Sequence, residues 1–110
     1  MEDCIFCKIA SGQMDTVFLY EDEKLVAFTD LNPQAPIHAL IIPRAHFASI
    51  KEVEDTNLIG HLFQAGKEVA RRLKIDDYRL VINTGQQAGQ TVFHLHIHLL
   101  AGREMLWPPG

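Results

Sequence analysis

Phe93-His94-Leu95-His96-Ile97-His98-Leu99-Leu100-Ala101 alternates apolar and histidine residues over its first seven positions. Side chains along a strand alternate faces, and residues two apart sit about 6.6 Å from each other on one side. The pattern predicts a strand from Thr91 or Phe93 to Ala101, with His94, His96 and His98 on one face and Phe93, Leu95, Ile97 and Leu99 on the other. The apolar set needs a second layer to pack on. The histidine set then faces a cleft or solvent.

The second layer lies upstream. After Asp55, a side chain suited to capping a helix, Leu58, Leu62, Ala65, Val69 and Leu73 recur at spacings of three and four. Ile59, Phe63 and Ala70 widen that stripe, while Lys67, Glu68, Arg71 and Arg72 mostly take the outer face. Further strands are expected at Val17 to Glu21, Leu25 to Thr29, Ala39 to Ile42 and Tyr78 to Asn83, with Asp22-Glu23-Lys24 as a tight hairpin between the first two. Asn32-Pro33 and Ala35-Pro36 force a loop, since proline restricts its predecessor and cannot donate to a ladder. Phe6 to Ser11 reads as a short helical turn ended by Gly12, and Met105 to Gly110 as a tail that cannot continue a sheet. The expected fold is α+β: five mainly antiparallel strands, one long helix covering one face, and a short N-terminal helix.

Residues 1–110 fit one domain, and 47% hydrophobic with 22% charged residues is ordinary globular composition. A net charge of −4 argues against a protein that grips nucleic acid through its phosphates. It leaves room for a small anionic ligand held by backbone N–H groups and histidines. No apolar run approaches the roughly 18 to 20 residues that span a bilayer, so no membrane partner is expected. The first residues carry acids where a signal peptide has bases, which points to the cytoplasm.

Three alternating histidines suit either metal ligation or catalysis by neutral imidazole, and spacing alone does not choose. The loop ahead of them, Asn83 to Thr91, supplies amides, a hydroxyl and two glycines, Gly85 and Gly89, at which backbone can approach a phosphate closely. A neutral imidazole beside such a loop is a competent nucleophile toward phosphorus. Cys4-Ile5-Phe6-Cys7 has the spacing of a zinc corner or a redox pair, although the strand-helix-strand setting usual for redox pairs is absent.

The stretch His94-Leu95-His96-Ile97-His98-Leu99-Leu100 resembles the signature of the histidine-triad family at every position. The likeness extends to Cys4-Ile5-Phe6-Cys7, Phe28-Thr29-Asp30-Leu31, Pro33 to His38, Ile42 to His46, Gly89-Gln90-Thr91 and Trp107-Pro108-Pro109-Gly110. It looks most like the Hint branch, the purine nucleoside phosphoramidases.

That resemblance implies a hydrolase acting on phosphorus–nitrogen bonds. His96 is implied as the nucleophile that carries a nucleotidyl group, and His98 as a contact to phosphate oxygen. Asn83, Gly89, Gln90 and Thr91 are implied to hold phosphate and the 5′-oxygen; Asp30 and Leu31 to form the ribose and base pocket. Thr91 stands where many relatives have serine, which keeps the hydroxyl on a stiffer side chain. His38 matches a histidine of the active-site surround. Cys4, Cys7, His46 and His94 are implied to hold a structural zinc. The partners implied are a purine nucleotide such as an AMP phosphoramidate and a second copy of the chain, whose active site Trp107 would reach. Dinucleoside polyphosphate hydrolysis, a catalytic zinc on His94, His96 and His98, and a nucleotide-binding adaptor with little turnover are the competing readings.

Overall fold

The computed structural model describes residues 3–110. Two helices, α1 (Ile5–Ala10) and α2 (Thr56–Arg72), accompany five strands: β1 (Tyr20–Glu21), β2 (Leu25–Thr29), β3 (Ile37–Pro43), β4 (Arg79–Val81) and β5 (Ile97–Ala101). The strands form one sheet in the order β1-β2-β3-β5-β4, antiparallel at every pairing. Single turns of 3-10 helix lie at Ile50–Glu52 and Gln86–Ala88.

The apolar stripe forms the long helix as its spacing requires. Asp55 caps it, with its carboxylate accepting from the Asn57 N–H at 2.9 Å. Leu62, Ala65, Val69 and Ala70 then pack on Leu25, Ala27, Ala39, Ile41, Leu95, Ile97 and Leu99. The intervening residues Val26, Phe28, Leu40 and Ile42 face the other way and pack under Phe6, Ile9 and Ala10 of α1. The sheet is therefore covered on two faces where one was expected. The unbroken apolar runs Leu25–Phe28 and Ala39–Ile42 have that cause, because a strand buried on both sides shows no polar alternation.

Four strand limits differ from the sequence reading, and that of β5 bears on the site. β5 begins at Ile97, so of the three histidines only His98 lies in the ladder. Ile97 pairs with Ile41, which would set residues 93–96 against the end of β3. There Pro43 has no N–H to give, and the Arg44 N–H is bonded to Lys24 O. The segment instead bonds Leu95 N–H to Phe47 O at 2.7 Å and the His94 ring to Pro43 O at 2.8 Å. The alternation of faces survives without the ladder, except at Phe93, which is 51% exposed and outside the core. β1 and β4 are shorter than the expected Val17 to Glu21 and Tyr78 to Asn83, while β3 is longer than Ala39 to Ile42.

The Asp22 turn does more than reverse the chain. One carboxylate oxygen accepts from the N–H groups of Lys24 and Leu25, both at 2.8 Å. The other accepts from the Tyr20 hydroxyl at 2.5 Å and lies 2.7 Å from His61 Nε2 on α2. Burial opposes the ionised form, but these donors outweigh it and hold the Asp22 carboxyl down at about 2. Through that contact His61 ties α2 to the first hairpin.

Candidate functional site

Five histidine rings cluster on the side of the sheet toward α1, next to Phe6 of that helix. Phe6 stands edge-on to His96, with centroids 5.1 Å apart, and to His94 at 5.9 Å. His96 and His98 are 4.8 Å apart, His38 and His98 5.1 Å, and His46 and His94 5.0 Å. An N-terminal helix of six residues thus walls the histidines in.

Hydrogen bonds fix the proton on each ring. A carbonyl oxygen only accepts, so His96 Nδ1 donates to His94 O at 2.7 Å and leaves Nε2 with a free lone pair. His94 Nε2 donates to Pro43 O at 2.8 Å, which leaves its Nδ1 bare. His38 Nδ1 accepts from the Gln34 N–H at 2.9 Å, so its proton is on Nε2 and is donated to His98 Nδ1 at 2.8 Å. His98 therefore carries its own proton on Nε2. No buried side-chain nitrogen or oxygen among the described residues lacks a partner. His96 Nε2 and His98 Nε2 therefore open to the cleft.

Burial holds His94, His96 and His38 below the ordinary histidine range, against Asp30, which favours the charged form of His38 and His96. For His98, burial with the neighbouring His96 and His38 pushes the pKa down to about 4. At neutral pH the His98 ring is uncharged. An unfolded histidine at 6.5 binds a proton that this folded one refuses until about pH 4. Stability contributed by His98 is thus present above pH 6.5 and lost as pH falls toward 4. Urea titrations between pH 7 and 4 should show this slope, and it should be shallower in His98→Gln.

The cleft encloses about 420 Å³, a volume suited to a small ligand. Asp30, Leu31, Asn83, Gly89, Thr91, His96 and His98 line it, as do His38, Gln34, Phe28 and Leu40. Leu31 presents its side chain at the rim, 96% exposed. Asp30 Oδ2 lies 3.4 Å from His38 Nε2, and its Oδ1 accepts from the Asn32 N–H. Gly89 has φ +97°, and an added Cβ would lie 3.4 Å from Asn83 Nδ2, so the turn needs glycine.

Two of the residues singled out from sequence lie elsewhere. The Gln90 side chain is buried and shapes the loop, accepting from the Gly85 N–H and donating to Ala48 O and Val92 O. Trp107 is 81% exposed and sits over Arg79 of its own chain, 5.9 Å from the guanidinium to the ring centroid. It does not line the cleft of its own chain, and the cleft implied for it is that of a second copy.

Cys4, Cys7, His46 and His94 converge behind the cleft. His94 Nδ1 lies 3.4 Å from both sulfurs, and His46 Nδ1 lies 3.3 Å from Cys7 Sγ. A tetrahedral zinc with ordinary Zn–S and Zn–N lengths spaces sulfur and nitrogen ligands about 3.5 Å apart, so the four donors fit that ion. The His94 bond to Pro43 O is of the kind that would hold that imidazole in place as a ligand. Asp30, His38 and His98 also lie close enough to share an ion. There the fit is poor, because a metal on His38 Nε2 would drive the proton to Nδ1, against the Gln34 N–H. His94, His96 and His98 do not converge as a catalytic metal face, since His94 turns its bare nitrogen to the sulfurs.

A model of the HIT domain matches residues 11–105. The chain belongs to the HIT family. An uncharacterized HIT-like protein of Synechocystis sp. is 50% identical over 99% of this chain and 98% of its own length. Among solved structures, a HIT family hydrolase from Legionella pneumophila has a TM-score of 0.92 at 44% identity, covering 98% of this chain and all of that one. A HIT family hydrolase from Clostridium thermocellum has a TM-score of 0.90 at 46% identity, with 96% of this chain and 95% of that chain covered. Within this HIT chain, the role of Phe6 against His96 and the cleft wall of Phe28 and Leu40 went unread from the sequence. The signal was the double-sided strands β2 and β3, whose second apolar face had to lie under something.

Proposed function

We propose that this HIT protein hydrolyses the phosphorus–nitrogen bond of purine nucleoside 5′-phosphoramidates through a nucleotidyl intermediate on His96. The observation that carries the reading is the fixed tautomer of His96: Nδ1–H is committed to the His94 carbonyl, and Nε2 is free, neutral and open to the cleft. A base whose lone pair is aimed and unprotonated at neutral pH is what attack on phosphorus requires. The solved relatives described as hydrolases support the reaction class.

His96 Nε2 forms a bond to the α-phosphorus while the P–N bond breaks and the amine departs with a proton. Water then attacks the same phosphorus, the His96–P bond breaks, and nucleoside monophosphate leaves. His98 Nε2–H, aligned through His38, donates to a phosphate oxygen, where developing charge makes the contact stronger. The Asn83 amide and the Thr91 hydroxyl, both lining the cleft, serve the other oxygens. Asp30 accepts from ribose, and the apolar wall of Phe6, Phe28, Leu31 and Leu40 takes the base. Cys4, Cys7, His46 and His94 would hold a zinc, which would lend structural support to the backbone that carries His96. Incubation with adenosine 5′-phosphoramidate tests the function: AMP and free amine should appear with wild type. Tight binding without turnover would favour the adaptor reading.

The same reading makes the protein a two-fold dimer. β4 is an edge strand, and Leu106 and Trp107 beside it are exposed apolar side chains on this chain. Burying them against a partner removes that apolar surface from water. Deleting Met105 to Gly110 should change rate and substrate preference more than stability. Mixed dimers of the deleted chain with His96→Ala should recover activity, since the inactive chain then lends its tail to the intact nucleophile. A monomer by light scattering at micromolar concentration, or no recovery on subunit exchange, would contradict this.

A further inference from the structure

We infer that Cys4 and Cys7 form a peroxide-oxidisable dithiol, attacked first at Cys4 and resolved by Cys7, which a bound metal shields. The sequence suggests a redox pair by spacing alone; the structure adds the local geometry. Both thiols are free and partly exposed. The Cys7 N–H donates to Cys4 Sγ at 3.3 Å, which folds the first sulfur back over the second residue. The ligand atoms of the cluster all lie within 4.8 Å of one another, so the sulfurs can close to a disulfide by side-chain rotation. The two cysteines are three residues apart, one capping a short helix and the other in its first turn.

The sulfurs are unequal in access. Cys4 lines an open depression of about 450 Å³ bounded by Asp3, His46, Thr91, Val92 and Phe93, whereas Cys7 is not among its walls. A small peroxide arriving there meets Cys4. The Cys4 thiolate takes one peroxide oxygen as the O–O bond breaks, giving a sulfenic acid and, from hydrogen peroxide, water after protonation. Cys7 sulfur then attacks Cys4 sulfur, the S–O bond breaks, and a second water leaves with the Cys7 proton. Two electrons pass in all from the dithiol to the peroxide. The disulfide removes two of the four ligands, so oxidation and metal occupancy exclude one another.

The test uses the purified full chain with its metal, exposed to hydrogen peroxide and followed by peptide mass mapping and a zinc indicator. One Cys4–Cys7 disulfide should form, reversed by a thiol reductant, with one metal released per chain oxidised. Removing the metal first should speed closure more than ~10-fold, since coordinated thiolates are poorer nucleophiles. A brief exposure with excess 1,3-diketone, which traps sulfenic acid, should label Cys4. Sulfinic or sulfonic acids with no disulfide, or thiols unchanged with and without metal, would overturn the dithiol. Label chiefly on Cys7 would overturn the order, and equal rates with and without metal would overturn the shielding. Failure to take up zinc would instead remove the structural-zinc reading, and disulfide formation in that chain would still decide this one.

Discussion

His96→Ala should abolish turnover of an adenosine phosphoramidate while leaving the fold and nucleotide binding nearly intact. The substitution removes the one ring nitrogen that is bare, neutral and open to the cleft. It removes no member of the metal cluster. Loss of a covalent nucleophile costs more than the roughly 10²- to 10³-fold typical of a lost oxyanion donor. Retention of more than about a tenth of activity, an effect of under ~1.4 kcal/mol on the barrier, would contradict the covalent mechanism. Thermal melts of the variant separate chemistry from folding, because Phe6 would lose a ring contact to the alanine but the sheet registers do not depend on it.

The second large effect is on stability. Cys4→Ala, or removal of metal with a chelator, should lower the melting temperature sharply, because the cluster ties α1, the residues after β3 and the segment before β5 together. Loss of ~3 kcal/mol or more is expected when a structural metal leaves. At roughly 4 °C per kcal/mol for a domain of this size, the midpoint falls by more than about 10 °C. Activity per folded molecule should fall later than the folded fraction does. Differential scanning calorimetry with and without chelator measures it; an unchanged midpoint, or metal analysis without zinc after expression in zinc, would contradict a structural site.

Much of this was legible in the chain, and the physical reasons are uneven. The long helix could be read because its stripe is amphipathic at a fixed period and Asp55 caps it. The facing of the histidines could be read because side-chain alternation needs only extended backbone, not a ladder. The start of β5 could not, because Pro43 terminates the neighbouring strand and no local rule tells the chain which strand it will lie beside. The second covered face was obscured for the opposite reason. In β2 and β3 both faces are apolar, and such runs carry no direction. Two hydrogen bonds between distant residues stayed hidden: His38 to His98, 60 residues apart, and Asp22 to His61, 39 apart. Gln90 shows the same limit inside the motif region, since an amide beside a phosphate loop can serve the ligand or the loop itself, and here its side chain serves the loop.

The most direct measurement is a rapid acid- or base-quenched single turnover with an adenosine phosphoramidate, read by intact mass and peptide mapping. The account predicts a transient adduct of one adenylyl group on His96, formed before free AMP appears and absent in His96→Ala. AMP released with no adduct on any histidine at any time in the turnover, or an adduct on His98, would contradict it.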